Sequence, residues 1–271
     1  MKRYLKYIII GIVAVALYTL LFPKKEKEKS EPRDYQAIVE SGVLRAVTEY
    51  NSISYFADGD TVSGFHYELL NAFARSKGLV PEITPEMSFE KRQEGILTGK
   101  YDILANSTIV TSESKDSLLF THPILLNKQV LVQRKPEQEN DSMYIHSQLE
   151  LARKTLHVVK GSPALLRIHN LSNEIGDTIY IQEVEKYGPE QLLAMVAHGD
   201  IDYTVCDESI AQASINDFPQ LDIETAISFT QFYSWGVSKH SPILLDSLNA
   251  WLDTYTQTPE FRELQKKYYN K

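Results

Sequence analysis

Ile96-Leu97-Thr98-Gly99-Lys100-Tyr101-Asp102-Ile103-Leu104-Ala105-Asn106 and, about a hundred residues later, Met195-Val196-Ala197-His198-Gly199-Asp200-Ile201-Asp202-Tyr203-Thr204-Val205 are two versions of one pattern. In each, a helical run is stopped by Gly, the residue that most easily takes the left-handed conformation closing a helix. An Asp and a short apolar run follow, the composition of a buried strand. Each strand then turns polar, at Asn106-Ser107-Thr108 and at Asp207-Glu208-Ser209. Ligands of open α/β sheets bind beyond the carboxyl ends of the strands, so the two ends predict a site between two α/β lobes. Helix-Gly-strand units are common in α/β proteins, and the pair by itself speaks for fold more than for function.

The 271 residues are 43% hydrophobic and 24% charged, which suits a globular chain with one large or two modest cores. Net charge is -8, but residues 1–30 carry seven Lys/Arg against two Glu, leaving -13 on the remainder. An acidic remainder argues against nucleic acid as a partner. Cys206 is the only cysteine, so no internal disulfide forms; it is expected buried at a strand end and inert. The seven His show no metal-binding spacing, and no metal or cofactor is predicted.

Lys2, Arg3 and Lys6 precede an apolar run from Tyr7 to Phe22, followed by Pro23 and the charged Lys24 to Lys29. This is a signal sequence or signal anchor, a little short of the roughly 20 residues that span a bilayer. With no small-x-small cleavage site and no cysteine for lipidation, residues 1–30 are expected to be an uncleaved membrane-spanning helix and tether. The soluble part then faces the periplasm from the inner membrane.

From about Asp34 the pattern is strand Val43–Thr48, helix from Phe65 to the stop at Gly78, strand Val80–Thr84, helix from Ser88 to Leu97, then the first copy of the device. Gln129–Gln133 reads as a strand leaving the first lobe, and Lys135–Ser142 as a polar linker. The second lobe repeats the grammar: strand His157–Val159, turn Lys160-Gly161-Ser162-Pro163, helix Ala164–Leu171, strand Thr178–Val184, helix Pro189–His198, second device. Phe229–Ser238 returns as a strand, and helices Pro242–Thr256 and Pro259–Tyr269 end the chain. Such alternation predicts mainly parallel sheets flanked by helices.

The order and spacing of Leu44-Arg45-Ala46-Val47-Thr48, Gly64-Phe65-His66-Tyr67-Glu68-Leu69, Gly99 to Leu104 with Thr108-Ile109-Val110-Thr111, Val159-Lys160-Gly161-Ser162, and Gly199 to Asp207 carry a resemblance. Residues 43–269 resemble the family 3 extracellular solute-binding proteins, in particular the N-terminal binding module of the membrane-bound lytic transglycosylases F. The resemblance implies a two-lobe, type II periplasmic-binding-protein-like α/β fold, with lobe 1 from 34–131 and 230–271 and lobe 2 from 132–229. It also implies non-catalytic capture of an amino acid, peptide or cell-wall fragment, for a permease or as a sensor. The alternative is a regulatory or enzymatic component of peptidoglycan turnover, partnered with a cell-wall hydrolase. The chain reaches Lys271 without a stretch resembling the transglycosylase catalytic domain, so none is expected; Glu208-Ser209 matches that domain's Glu-Ser only superficially, following a strand instead of ending a helix.

Family members grip a ligand carboxylate with the Arg of a Thr-x-x-Arg pattern, which reads Thr111-Ser112-Glu113-Ser114 here. Lys115 beside it lacks a guanidinium fork. The residues expected at the ligand are Glu49, Tyr55, Phe56, Ser107, Thr108, Thr111, Gly161, Ser162 and Asp207. Asp207 stands where the family receives a ligand's amino group, or else caps the helix after it. Ser107 and Thr108 offer hydroxyls or close a turn. Gly161 and Ser162 open a helix whose free N–H groups suit an anion. Glu49, Tyr55 and Phe56 wall the cleft or belong to a satellite core.

Overall fold

The central strands are buried at consecutive positions, Ile103 to Asn106 and Gln129 to Gln133, while the helices are apolar on one stripe, so each sheet is covered on both faces at its centre. The computed structural model describes residues 31–136, 138 and 141–269, apart from the side chain of Glu113. The membrane anchor expected in residues 1–30 lies outside them. Among the described residues no helix is long and apolar enough to cross a membrane.

The first part comprises α1 (Tyr35–Ser41), β1 (Val43–Thr48), the hairpin β2 (Phe56–Asp58) and β3 (Thr61–Ser63), α2 (Phe65–Ser76), β4 (Val80–Pro85) and α3 (Phe89–Leu97). It continues through β5 (Ile103–Ile109), α4 (Ser112–Ser117), β6 (Leu118–Phe120) and β7 (Leu125–Asn127). Next come β8 (Gln129–Arg134), β9 (Thr155–Val159), α5 (Ala164–Ile175), β10 (Tyr180–Val184), α6 (Pro189–His198), β11 (Thr204–Asp207), α7 (Glu208–Ser214) and β12 (Leu221–Asp222). The chain then forms β13 (Gln231–Ser238), α8 (Pro242–Tyr255) and α9 (Pro259–Tyr269).

One sheet has the order β4-β1-β5-β13-β6, with β7 also on β13; the other has β10-β9-β11-β8-β12. In each, three strands are parallel and the fourth runs against them: β13 on β5, and β8 on β11. The sheets are therefore mixed, with a parallel half in each. In the first sheet Ile103 and Ala105 face a core with Phe65, Phe73, Trp235 and Leu248, while Leu104 faces Val47 and Ile96 on the other side. In the second, Leu131 and Val205 join Ile168 on one face, and Val130, Val132 and Cys206 join Leu193 and Val196 on the other. Cys206 is buried and free, and burial pushes its thiol well above the usual range, as its expected inertness requires.

The paired devices build as the sequence predicts, with Gly99 and Gly199 in the left-handed region. Their aspartates differ in environment. Asp102 is fully buried and receives the Arg33 guanidinium, the Arg45 N–H at 2.8 Å and the Arg45 guanidinium at 3.2 Å. Asp202 is half exposed and, among the described residues, pairs with Arg134 at 2.7 Å, whose Nη1 donates to Val196 O and Ile201 O at and just past the end of α6. Removing one partner of a buried charge network strands the rest, whereas an exposed pair contributes little. Urea unfolding of Asp102→Ala is expected to show a loss of about 3 kcal/mol or more, against less than about 1 kcal/mol for Asp202→Ala; equal losses would contradict the difference in role.

Candidate functional site

An antiparallel strand begins where its parallel neighbour ends, so β8 opens beside the carboxyl end of β11 and the start of β13 lies beside that of β5. Gln129 is thus register partner to Asp207, and Tyr233 to Ile109. These ends enclose an inner pocket of about 60 Å³ lined by Glu49, Asn106, Ser107, Gln129, Ser162 and Asp207, among others. An outer groove of about 500 Å³ carries Thr108, Thr111, Ser114, Gly161, Leu166 and Asn170. Phe89, Arg92, Gln129, Ser162 and Pro163 line both, so the two spaces adjoin. Beside this space, segments attached to the two sheets touch: the Ser52 N–H donates to Glu190 Oε1 at 2.8 Å, and Met87 packs against Gly188.

Asp207 does not cap the helix that follows it. Its Oδ1 instead accepts the Tyr233 hydroxyl at 2.8 Å, from the strand that belongs to the other sheet. Burial pushes its carboxyl up to about 7; the Tyr233 hydroxyl opposes the shift and Glu49 adds to it. A carboxylate out of water, short of a full counter-charge, is a receptor for a cationic group.

Of the residues predicted from sequence, Glu49, Ser107 and Asp207 line the inner pocket, Thr108, Thr111 and Gly161 the outer groove, and Ser162 both. Several are already engaged. Thr108 is buried and donates to Asn106 Oδ1 at 2.9 Å, and Thr111 forms a capping box with Ser114 that starts α4. The helix start at Gly161 and Ser162 departs from expectation, because its N–H groups are occupied. Gly161 N–H donates to Glu183, Ser162 N–H to Val159 O, and Ala164 N–H to Ser162 Oγ. Tyr55 and Phe56 are absent from the cleft lining: Tyr55 lies edge-on to Tyr67 and Phe56 against Tyr268. Tyr55 just before the β2–β3 hairpin and Phe56 at its start find nearer aromatic partners on α2 and α9, which is the satellite-core alternative.

Arg92 was missed. The sequence shows no arginine at the family's carboxylate position, yet α3 brings this guanidinium to the cleft from another element. Arg92 is 3% exposed; its Nη1 donates to Glu86 O at 2.6 Å and Met87 O at 3.0 Å, and Nη2 stands 3.8 Å from Glu49. Its Nε is buried without a hydrogen-bond partner, as is Gln129 Oε1. The signal was present in the strand-end rule: β4 ends at the same sheet edge as β5, so the first turn of α3, with Phe89 and Arg92, opens onto the site.

The native state, with its Asp207 carboxyl near 7, binds a proton that an unfolded carboxyl of 3.8 releases. Stability is therefore lost as pH rises from about 4 to about 7. Asp207→Asn lacks this contribution. Melting scans from pH 4 to 8 should show the Tm of Asp207→Asn gaining on wild type as pH rises; a constant difference would place Asp207 in contact with water.

The family model for bacterial extracellular solute-binding proteins, family 3, matches residues 44–271. Membrane-bound lytic murein transglycosylase F of Photobacterium profundum is 26% identical over 266 residues, 95% of this chain and 50% of that protein. The protein of the same name from Desulfosudis oleivorans is 28% identical over 235 residues, 86% and 50% of the two chains. The chain thus spans about half the length of the curated relatives it matches. Among solved structures, holo ArgBP from T. maritima superposes with a TM-score of 0.70 at 24% identity, over 87% of this chain and 99% of that one. The substrate-binding protein AbpA of an amino acid ABC transporter from Streptococcus pneumoniae, bound to L-arginine, gives 0.74 at 20% identity, over 87% and 98%. At these identities the structural likeness establishes the two-lobe, type II periplasmic-binding-protein fold. With the family model covering all but the first 43 residues, the chain belongs to the bacterial extracellular solute-binding proteins of family 3.

Proposed function

We propose that the cleft captures, without catalysis, a polar ligand longer than a free amino acid: a peptide or a peptide-bearing cell-wall fragment. The observation that supports this reading is that the inner pocket adjoins the larger outer groove, with Phe89, Arg92 and Gln129 lining both. A ligand ammonium sits at Asp207, its first acceptor oxygens meet Ser107 and the free edge of Arg92, and the remainder runs out past Thr111, Ser114 and Asn170. Binding a cation at Asp207 lowers its raised carboxyl pKa, so binding near neutral pH releases a proton.

In this reading lobe 1 is 34–131 with 230–271 and lobe 2 is 132–229, and they hinge where the chain passes between the sheets. Residues 1–30 anchor the protein in the inner membrane with the cleft in the periplasm. A permease fits the structural neighbours' transport roles. The names of the curated relatives favour a second partner, a cell-wall hydrolase, with the bound fragment as a signal for peptidoglycan turnover.

A thermal-shift screen against free amino acids, alanine di- to tetrapeptides and soluble wall fragments tests the ligand class. A ligand at a hundredfold excess over its Kd stabilises by about 2.7 kcal/mol, which such a screen detects. The expected order is wall fragment or peptide above any free amino acid, with the shift lost in Asp207→Ala. Micromolar binding of a free amino acid with no gain for peptides would overturn the reading.

A further inference from the structure

His66 is 1% exposed, in the first turn of α2, and belongs to none of the contacts described so far. Its Nδ1 lies 3.0 Å from Trp235 Nε1. An indole nitrogen only donates, so His66 Nδ1 is the acceptor of this bond. Burial drives the His66 pKa down to about 3, which keeps the ring neutral, and a neutral ring carries its one proton on the other nitrogen. That nitrogen, Nε2, has Ser107 Oγ at 3.4 Å. The serine oxygen therefore receives the His66 proton, and the serine's own hydrogen is left for another acceptor.

Ser107 lines the inner pocket. The Tyr269 hydroxyl, at the end of α9, is the competing acceptor: Ser107 acts on it to lower its raised pKa, yet among the described residues the Tyr269 hydroxyl has no hydrogen-bond partner, so the serine hydrogen is not committed to it. We infer that Trp235 and His66 are positioning residues that fix Ser107 as a hydrogen-bond donor into the cleft, so that a ligand must place an acceptor oxygen there, a peptide carbonyl or a carboxylate. A hydroxyl is ordinarily ambivalent, serving donors and acceptors alike; the indole and imidazole behind it remove that freedom. Together with Asp207 they set the ligand's polarity, with the ammonium toward β11 and the first acceptor toward β5. This rests on the peptide-type reading of the cleft.

Two measurements on the full chain test it. Ring ¹⁵N correlation spectra of the ligand-free protein should show His66 in the Nε2–H form unchanged from pH 5 to 8, and Trp235→Phe, which removes only the indole donor, should show a mixture of both forms. Calorimetry with trialanine should show about a tenfold loss of affinity in Ser107→Ala, the scale of one donor to a carbonyl, and a smaller loss in Trp235→Phe. An Nδ1–H form in wild type, or trialanine bound as tightly by Ser107→Ala as by wild type, would overturn the proposal. A wild type that shows the Nε2–H form yet takes no trialanine would instead overturn the peptide reading on which the ligand's polarity rests. Should Trp235→Phe fail to fold, the wild-type spectrum and the Ser107→Ala titration still decide the matter.

Discussion

Each sheet is completed by a strand delivered from the other. β8 reaches the second sheet directly after β7 of the first, and β13 returns to the first after β12 of the second. Because both run antiparallel to their neighbours, they begin at the carboxyl ends of β11 and β5. The places where the chain passes between sheets are therefore also the places where both sheets present their ligand-facing ends. Gln129 beside Asp207, and Tyr233 bonded to Asp207 from the opposite sheet, are direct products of that path.

Desolvation then gives the site its chemistry. An aspartate placed between two sheets and held by a phenol loses most of its water, and its carboxyl rises to about 7. Arg92 is its counterpart: a buried guanidinium with two donors committed to backbone carbonyls of the preceding turn and one nitrogen left unpartnered. The 3.8 Å separation from Glu49 is longer than a charge-assisted hydrogen bond, so Glu49 neutralises Arg92 without saturating it. Under the proposed function, a ligand bearing both an ammonium and an acceptor would relieve both groups at once.

Much of the fold was legible because it rests on local chemistry. Gly99 and Gly199 closing their helices, Ser88 capping α3 and Pro189 opening α6 are signals carried by single residues. The short α1 and α4 were not read, since a seven-residue and a six-residue helix carry too little periodicity. The site was legible only on the strands. Ser107 and Asp207 follow directly from the strand-end rule and Arg92 follows from it one step on, through the helix after β4, whereas Tyr233 reaches Asp207 from the other sheet, a contact that only tertiary topology fixes. Gly161 and Ser162 show the reverse: a helix start that reads as free for an anion is satisfied by Glu183 and Val159 once the sheet is assembled.

We propose that a ligand holds together two lobes between which the described chain passes near Lys128 and near Phe229. Hinges of this kind absorb closure in a few backbone rotations. In the arrangement described here, Ser52 meets Glu190 from the opposite sheet's side. Small-angle scattering from the full chain, with and without a saturating ligand from the peptide series, tests this most directly. The free protein is expected to have the larger radius of gyration and to contract on binding to the profile of the arrangement described here. Superimposable profiles in the two conditions would contradict it.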